Sequence, residues 1–277
     1  MNEVLGSLLL KAKDIVGWNF ARPRLPVLVA LAKRYLAWSR TVKFDVGLRY
    51  DPVVRFIRRR ESQAVPFRRI LDVGCGPWGL GSYLGRECVG VDPATPGPDV
   101  PTRTNWILRI RGSVTALPFP DGCFDVVTSM DTLEHLPAPA RAAALREMFR
   151  VASRGVVLGV PFGPKSEAYD RWAGEWERAR RVLPDWRREH VANGLPAAEL
   201  EVLVRSLAAS RHARRMKVRK HENLGFLRFR WRILQALPQS HPAYGLVMAP
   251  LYAAARRLHV GSCYRRLYFV EFDVPLR

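Results

Sequence analysis

The stretch LDVGCGPWGLGSYL, residues 71–84, places Gly74, Gly76 and Gly79 around a proline and a tryptophan, directly after an apolar run. Glycine permits backbone angles that other residues resist, and it lets a ligand approach the main chain closely. Asp92 follows in VGVDP, where a carboxylate can accept hydrogen bonds from both hydroxyls of a ribose. These residues predict a nucleotide-type cofactor beside a tight turn. A nicotinamide or flavin site stays open, although such sites usually spread their glycines as GxGxxG, whereas Trp78 interrupts this turn.

The hydrophobic pattern of the sequence changes at Arg69. The strands and helices predicted after that point must position these residues. Short apolar runs that end in turn residues alternate from there with helical stretches, which indicates βαβ units and a parallel sheet. The predicted strands are 70–73, 88–91, 106–110, 124–129 and 155–160, with a basic edge strand at 214–220 and a final buried strand at 265–272. Helices are predicted at 80–86, 139–151 and 197–207, and residues 165–210 are predicted to be helical apart from a stop at 193–196. In open α/β sheets, ligands bind beyond the carboxyl ends of the strands.

Four blocks of sequence carry a resemblance to a known family. ILDVGCG, VGVDP, ALPFPDGCFDVV and DTLEHLP, in this order and spacing, resemble class I S-adenosylmethionine-dependent methyltransferases, in particular the branch that modifies quinones, glycans and other small molecules. The resemblance covers about residues 68–162. It implies an α/β fold with a doubly wound seven-stranded sheet whose last strand is antiparallel. We expect a basic, helical N-terminal cap at 1–66 and a methyltransferase domain at 67–277, with a basic and apolar insertion at about 222–262.

The resemblance also implies the cofactor, S-adenosylmethionine, and the residues that surround it. Asp72, Gly74, Cys75 and Gly76 would surround the methionine part of the cofactor, and Asp92 would bind its ribose. Ser113 and Val114 would lie at the adenine, and Met130 would lie near the donor methyl. Two positions depart from the family pattern. Ser113 stands where an aspartate usually binds the adenine amino group, and Trp78 stands where a third glycine commonly follows the proline. Trp78 would either wall off the sulfonium, whose charge a ring face can attract, or pack against the N-terminal cap.

The candidate catalytic residues are Asp131 and His135, with Glu134 between them, and His190 in REHVANGLP. Methyl transfer from a sulfonium is an in-line displacement that needs alignment and exclusion of water, and a hydroxyl or carbon acceptor must also lose a proton. Asp131 and His135 are four positions apart and would share one face of a helix. Each of these residues could instead have a structural role. Asp131 would then cap a helix N-terminus, Glu134–His135 would be a structural feature of the family, and His190 would lie at a helix end.

Cysteine usage and apolar length exclude several classes of protein. The four cysteines are scattered, without a CxxC pair or a cluster with histidine, which argues against a disulfide framework and a zinc site. We therefore predict no metal site. The apolar N-terminal windows are shorter than the roughly 20 residues of a membrane span, and the first ten residues do not resemble a signal peptide. The predicted location is the cytoplasm, with peripheral contact at the inner face of the membrane.

The net charge of +20 is segregated along the chain. Basic residues outnumber acidic ones by 15 to 5 in residues 1–69 and by 15 to 3 in residues 205–277, whereas residues 70–204 carry 15 basic and 17 acidic side chains. This distribution indicates that the flanks meet an anionic partner, namely a nucleic acid, a phospholipid surface or a phosphate-bearing substrate. A generally arginine-rich proteome is the alternative explanation.

The predicted insertion at about 222–262 is a region that we expect to contact the methyl acceptor. Its arginines Arg228, Arg230 and Arg232 alternate with apolar residues. This pattern is typical of an interfacial helix whose arginines meet anionic headgroups, and also of a lid over the active site with a solvated basic edge. In the first case Phe226, Leu227, Phe229 and Trp231 would reach the acyl boundary.

Three functions follow from these patterns. The first is methylation of a glycan, lipid-linked or other small-molecule acceptor at or near a membrane surface, and this is the function we expect. The second is RNA methylation, against which the chain has no Asn-Pro-Pro-Tyr-like base-flipping motif and no appended RNA module. The third is a non-catalytic binding or scaffold protein with a weakened cofactor site, as Ser113 would indicate.

Overall fold

A computed structural model describes residues 44–61, 66–77, 79–93, 106–236 and 244–273. The chain divides into two compact units. The smaller unit contains Met1–Leu48 and Gly225–Leu258, and the larger contains Arg49–Leu224 and His259–Arg277. Most of the predicted N-terminal cap, and also Trp78, lie outside the described residues. The described part of the cap is helix α1 (Phe44–Glu61).

The larger unit is built on a seven-stranded sheet with the order β3-β2-β1-β4-β5-β7-β6. The strands are β1 (Ile70–Val73), β2 (Cys88–Asp92), β3 (Ile107–Arg111), β4 (Phe124–Met130), β5 (Ala152–Pro161), β6 (Ala213–Asn223) and β7 (Cys263–Phe272). β1 to β5 pair in parallel, and β7 lies antiparallel between β5 and β6. The predicted doubly wound sheet with an antiparallel last strand is confirmed.

Helices and one short turn connect the strands. In chain order after α1 they are α2 (Gly81–Leu84), a 3-10 turn (Leu133–His135), α3 (Ala138–Val151), α4 (Pro164–Ala179), α5 (Asp185–Asn193), α6 (Ala198–Ser210), α7 (Leu224–Ala236) and α8 (Tyr244–Ala255). The helix predicted at 80–86 is shorter than expected, because Gly85 ends it in the left-handed conformation. Asp131 and His135 do not share a helical face, because Asp131 precedes the 3-10 turn and has a φ of 54°.

The burial of the strands explains their sequences. β1 and β4 are buried at every position, as expected for central parallel strands that are covered on both faces. Their apolar side chains join the main core, to which α3, α6 and β7 also contribute Leu145, Val204 and Tyr268. β6 lies at the edge of the sheet, and charged side chains there discourage pairing with another strand. The predicted basic edge strand is confirmed.

The smaller unit has its own apolar cluster, in which Leu48 packs with Tyr244, Met248 and Ala255. Phe226 packs against this cluster and Leu227 is buried, so neither is placed to reach a lipid phase as predicted. Within the described ranges, no helix combines the length and the apolar character that crossing a membrane requires.

Candidate functional site

The turn after β1 brings bare backbone to the carboxyl edge of the sheet. Gly74 and Gly76 have φ values of 71° and 51°, a region that side chains disfavour. A Cβ atom on Gly74 would overlap the side chain of Thr132, which follows β4. A Cβ atom on Gly76 would meet no atom of the described residues within 4 Å. Among the described residues, the main chain at Gly76 is therefore open to a ligand, whereas Gly74 is required by packing.

The buried side chain of Asp72 stabilises this turn through hydrogen bonds. Its Oδ2 accepts hydrogen bonds from the Leu80 backbone N–H at 2.7 Å and the Tyr50 hydroxyl at 3.0 Å, and Thr128 donates to its Oδ1. Burial raises the pKa of Asp72 to about 6, against the lowering effect of these hydrogen bonds. The resemblance places Asp72 around the methionine part of the cofactor. In this structure its carboxylate is fully buried and holds the turn in shape.

Asp92 and Cys75 flank the same turn. Asp92 ends β2, and its Oδ2 accepts the Gly76 N–H at 2.8 Å, so this carboxylate lies directly beside the open backbone. The Cys75 side chain is buried against Gly90, where a Cβ atom would be too close to its Sγ. Burial raises the pKa of the Cys75 thiol to about 12, so it stays protonated at neutral pH. Arg109 on β3, which the sequence did not single out, donates to the Gly76 and Pro77 carbonyls and ties the turn to the sheet.

The remaining predicted cofactor residues also follow parallel strands. Ser113 lies two residues after the end of β3 and is exposed, and its Oγ accepts the Thr115 N–H at 3.2 Å. Val114 is buried, as is Met130 at the end of β4, which packs against Gly159 on β5. The open backbone at Gly76 beside the Asp92 carboxylate fits an amino acid tail and a ribose. The assignment of individual contacts stays a prediction.

Asp131, at the start of the next loop, is held by two arginines. Arg265 on β7 binds both of its oxygens, with its Nε 2.6 Å from Oδ1, and the Nε of Arg49 lies 2.9 Å from Oδ2. Burial would raise the pKa of Asp131, but the charges of Arg265 and Arg49 outweigh burial and hold it well below its usual value. Such a carboxylate accepts no proton near neutral pH. Its two ion pairs disfavour the predicted role of Asp131 in proton transfer.

Glu134, His135 and His190 meet beside Asp131. His190, on α5, lies with its ring centroid 4.8 Å from that of His135 and its Nε2 3.8 Å from Oε1 of Glu134. The structure thus brings together the two predicted catalytic histidines, which are far apart in sequence. Burial and the nearby Asp131 charge raise the pKa of Glu134 well above its ordinary value. Burial and the His190 charge lower the pKa of His135.

Carboxylates orient both histidine rings. Asp170 on α4 accepts from Nδ1 of His190 at 2.9 Å, and Glu189 accepts from Nδ1 of His135 at 2.6 Å. Asp170 also accepts hydrogen bonds from the Tyr264 hydroxyl and the Arg187 guanidinium. Asp170 was not predicted from the sequence. The one sequence signal for this cluster is a Glu-His pair that occurs at 134–135 and again at 189–190.

Comparison with known proteins identifies the family. A family model described as a methyltransferase domain matches residues 71–159, the stretch from β1 to β5 that contains both the glycine turn and Glu134. Residues 71–159 thus form a class I S-adenosylmethionine-dependent methyltransferase domain. The predicted family and its cofactor, S-adenosylmethionine, are confirmed.

Two curated relatives and one solved structure illustrate how far the similarity extends. The methyltransferase is 29% identical over 209 residues to a fatty-acid O-methyltransferase of Mycolicibacterium smegmatis, covering 65% of this chain and 74% of that one. It is 32% identical over 109 residues to the chloroplastic tocopherol O-methyltransferase of Arabidopsis thaliana, covering 34% of this chain and 30% of that protein. The match to the second relative thus spans less than a third of its length.

Among solved structures, the plantazolicin methyltransferase BpumL in complex with SAH has a TM-score of 0.55 and 12% identity. The match covers 91% of this chain and 97% of that chain. Similarity at this level shows the fold alone.

Proposed function

We propose that this methyltransferase transfers the methyl group of S-adenosylmethionine to a lipid-linked or other lipophilic small molecule at an anionic membrane surface. The observation that carries the proposal is a basic surface in the larger unit, formed by α1 and β6. We define it by five exposed side chains, which are Arg55, Arg59, Arg214, Arg215 and Arg219.

The arginines of the basic surface are crowded. Burial lowers the pKa of Arg219, and the charges of Arg59, Arg55 and Arg215 lower it further. Holding like charges this close costs free energy, and an anionic partner recovers that cost. Each basic side chain near an anionic bilayer contributes about 1 kcal/mol to binding. Arg55 and Arg214 also pair with Asp51 and Glu271, so the attraction to a membrane comes mainly from the other three side chains.

The smaller unit offers a second feature of the same kind. On α7, Phe229 is 50% exposed, and the neighbouring Arg228 and Arg232 are exposed as well. An exposed aromatic ring between arginines suits the boundary between headgroups and acyl chains. Of the four apolar side chains that the sequence predicts at the acyl boundary, Phe229 is exposed and Trp231 is partly exposed, whereas Phe226 and Leu227 pack inside.

The names of the two curated relatives support a lipophilic acceptor. One is a fatty-acid O-methyltransferase and the other a tocopherol O-methyltransferase. Fatty acids and tocopherol are lipophilic molecules, which partition into membranes. We extend this class of acceptor to the present chain because its basic surface would bring it to such a phase.

The residues at the carboxyl edge align the reactants. When bound, S-adenosylmethionine supplies an electrophilic methyl group on a positive sulfonium. The open backbone at Gly76 receives its amino acid tail, and Asp92 binds the ribose hydroxyls. The buried side chain of Met130 closes the end of β4 against water. Alignment and exclusion of water are the main tasks of a methyltransferase, because the leaving thioether departs neutral.

A labelling experiment tests the proposal. The purified protein is incubated with methyl-labelled S-adenosylmethionine and with the lipid, RNA and water-soluble fractions of a cell extract. We expect label in the lipid fraction. Label in RNA alone, or in no fraction, would contradict the proposed acceptor.

Vesicle binding tests the surface separately. Wild-type protein should sediment with vesicles of phosphatidylglycerol and phosphatidylcholine, and less so as the salt concentration rises. The double variant Arg215→Glu, Arg219→Glu should bind more than tenfold more weakly. The control with matched charge, Arg146→Glu with Arg178→Glu, changes exposed arginines on α3 and α4 and should bind better than that double variant. Equal loss in the two double variants would mean that net charge, and not this surface, drives binding.

A further inference from the structure

The cluster beside Asp131 contains buried polar atoms without partners. Both carboxylate oxygens of Glu134 and the Nε2 of His190 are buried and have no hydrogen-bond partner among the described residues. Glu134 is fully buried, and His190 is 4% exposed. A buried polar group left unpaired costs about 1–3 kcal/mol, and such groups usually mark an ion or water site.

The donor atoms are close enough to share one ion. One ligand atom each from Glu134, His135 and His190 lies within 4.8 Å of the other two. Two nitrogens bound to one zinc ion at about 2.0–2.1 Å are separated by about 3.3 Å in tetrahedral geometry. The 3.8 Å between His190 and Glu134 already approaches that spacing.

The hydrogen bonds of the two histidines prepare them as ligands. A carboxylate only accepts, so the bonds to Asp170 and Glu189 place the proton of each neutral ring on Nδ1. Each Nε2 then carries its lone pair. Carboxylate-bound histidines of this kind are the usual ligands of protein metal sites, because the second shell fixes both the tautomer and the ring orientation.

The arginines near the cluster are engaged elsewhere. Arg265 and Arg49 bind Asp131, and Arg187 binds Asp170 and Glu177. Arg141 donates to the carbonyls of Leu133, Leu136, Asn193 and Gly194. The charges of Arg265, Arg49 and Arg187 are thus paired with other carboxylates, and Arg141 is held on carbonyl groups, while Oε1 of Glu134 lies 3.8 Å from Nε2 of His190.

We propose that Glu134, His135 and His190 bind one divalent transition-metal ion. Two imidazoles and one carboxylate suit zinc, cobalt, iron or manganese, whereas magnesium and calcium prefer oxygen ligands throughout. Three protein ligands leave at least one position open on the ion. This site revises the expectation of no metal site, because the sequence separates His190 from its partners.

The open coordination position can bind a hydroxyl group of the methyl acceptor. This inference rests on the proposed function. An acceptor hydroxyl on the ion loses its proton to solvent more readily, since the cation stabilises the alkoxide. The alkoxide oxygen then forms a bond to the donor methyl while the bond from that methyl to sulfur breaks. The sulfur leaves as a neutral thioether. The acceptor class is thus narrowed to molecules with an oxygen nucleophile.

Metal titration tests the site without cofactor or acceptor. Untagged protein is stripped with a chelator, dialysed and titrated with Co²⁺ by visible absorption and with Zn²⁺ by calorimetry. We expect one ion per chain and cobalt bands typical of low coordination number. Glu134→Gln and His190→Gln should abolish stoichiometric binding. The control His212→Asn, at an exposed turn histidine with a φ of 48°, should bind like the wild type.

A milder variant guards against loss of folding. Glu189→Gln removes the carboxylate from Nδ1 of His135 at a side chain that is 53% exposed, so the fold should survive. Loss of a second-shell carboxylate lowers metal affinity about 10–100-fold. Absence of stoichiometric binding by the wild type, or equal affinity in all these variants, would overturn the proposal. Failure here would leave the lipid-labelling result unaffected, because no methyl donor is present.

Discussion

The glycine turn after β1 and the cluster around Glu134 lie on the same edge of the sheet but are held together differently. The turn is local, because Gly74 to Gly76 follow one another and are fixed mainly by backbone contacts with β2. The cluster joins a 3-10 turn to α5, and buried charge pairs from α4, α1 and β7 hold it. The turn therefore depends on the conformation of a few residues, whereas the cluster depends on tertiary packing and charge balance.

The charge balance of the cluster region predicts the largest effect. Arg265→Met would leave Asp131 and Glu222, both buried, without their shared cation. Removing one partner of a buried ion pair costs about 3–5 kcal/mol, because the remaining charge is uncompensated. Chemical denaturation measures the free energy of unfolding. The neighbouring Arg266→Met, at a partly exposed pair with Glu201, should cost about 1 kcal/mol or less. Similar losses in both variants would mean that the cluster has no special dependence on buried charge.

The glycine turn should instead be sensitive to a single methyl group. Gly74→Ala forces a Cβ atom into Thr132 and also disfavours its φ of 71°. We expect a loss of about 3 kcal/mol in unfolding free energy and at least tenfold weaker binding of S-adenosylhomocysteine. Gly85→Ala is the matched control, with a φ of 72° but open space at its Cβ position, so it should cost about 1 kcal/mol. Equal effects of the two substitutions would show that strain alone, and not the approach of Thr132, explains the glycine.

The two buried aspartates should respond to pH in opposite directions. Burial raises the pKa of Asp72 to about 6, so the folded state binds its proton more tightly than the unfolded state. The contribution of Asp72 to the free energy of unfolding is complete below its unfolded pKa of about 3.9. This contribution, roughly 2–3 kcal/mol, is lost as pH rises through about 6. The pKa of Asp131 is lowered, so its stabilisation is present above pH 4 and is lost in acid.

Denaturation of the wild type and of Asp72→Asn and Asp131→Asn, between about pH 4 and pH 7, checks these signs. The advantage of the wild type over Asp72→Asn should shrink as pH rises, whereas its advantage over Asp131→Asn should not. Parallel curves for the two variants would contradict the contrast between the two regions.

The smallest expected effect concerns the adenine position. Ser113→Asp would supply the carboxylate that the family usually has at this exposed position. A charged acceptor strengthens a hydrogen bond by about 1 kcal/mol, or about fivefold in affinity for the cofactor. Calorimetry with S-adenosylhomocysteine checks this gain, and Ser113→Asn provides the uncharged control. An unchanged affinity would remove Ser113 from the cofactor site.

The contrast also explains what the sequence could predict. Short apolar runs identified six strands and a basic run identified the edge strand, all to within a few residues, and the turn glycines and Asp92 were located because their spacing is local. The roles of Asp72 and Asp131 were not predictable, because Tyr50, Arg49 and Arg265 come from distant elements. The helical face expected for Asp131 and His135 failed because one residue after β4 adopts the left-handed conformation.

The central claim is that the open turn and Asp92 bind S-adenosylmethionine, and a calorimetric titration with that compound tests it most directly. The wild type should bind one molecule per chain, and Asp92→Asn should bind at least tenfold more weakly because it lacks the carboxylate beside Gly76. Asp185→Asn, at a side chain that is 87% exposed, should bind like the wild type. No binding by the wild type, or equal binding by Asp92→Asn, would contradict the account.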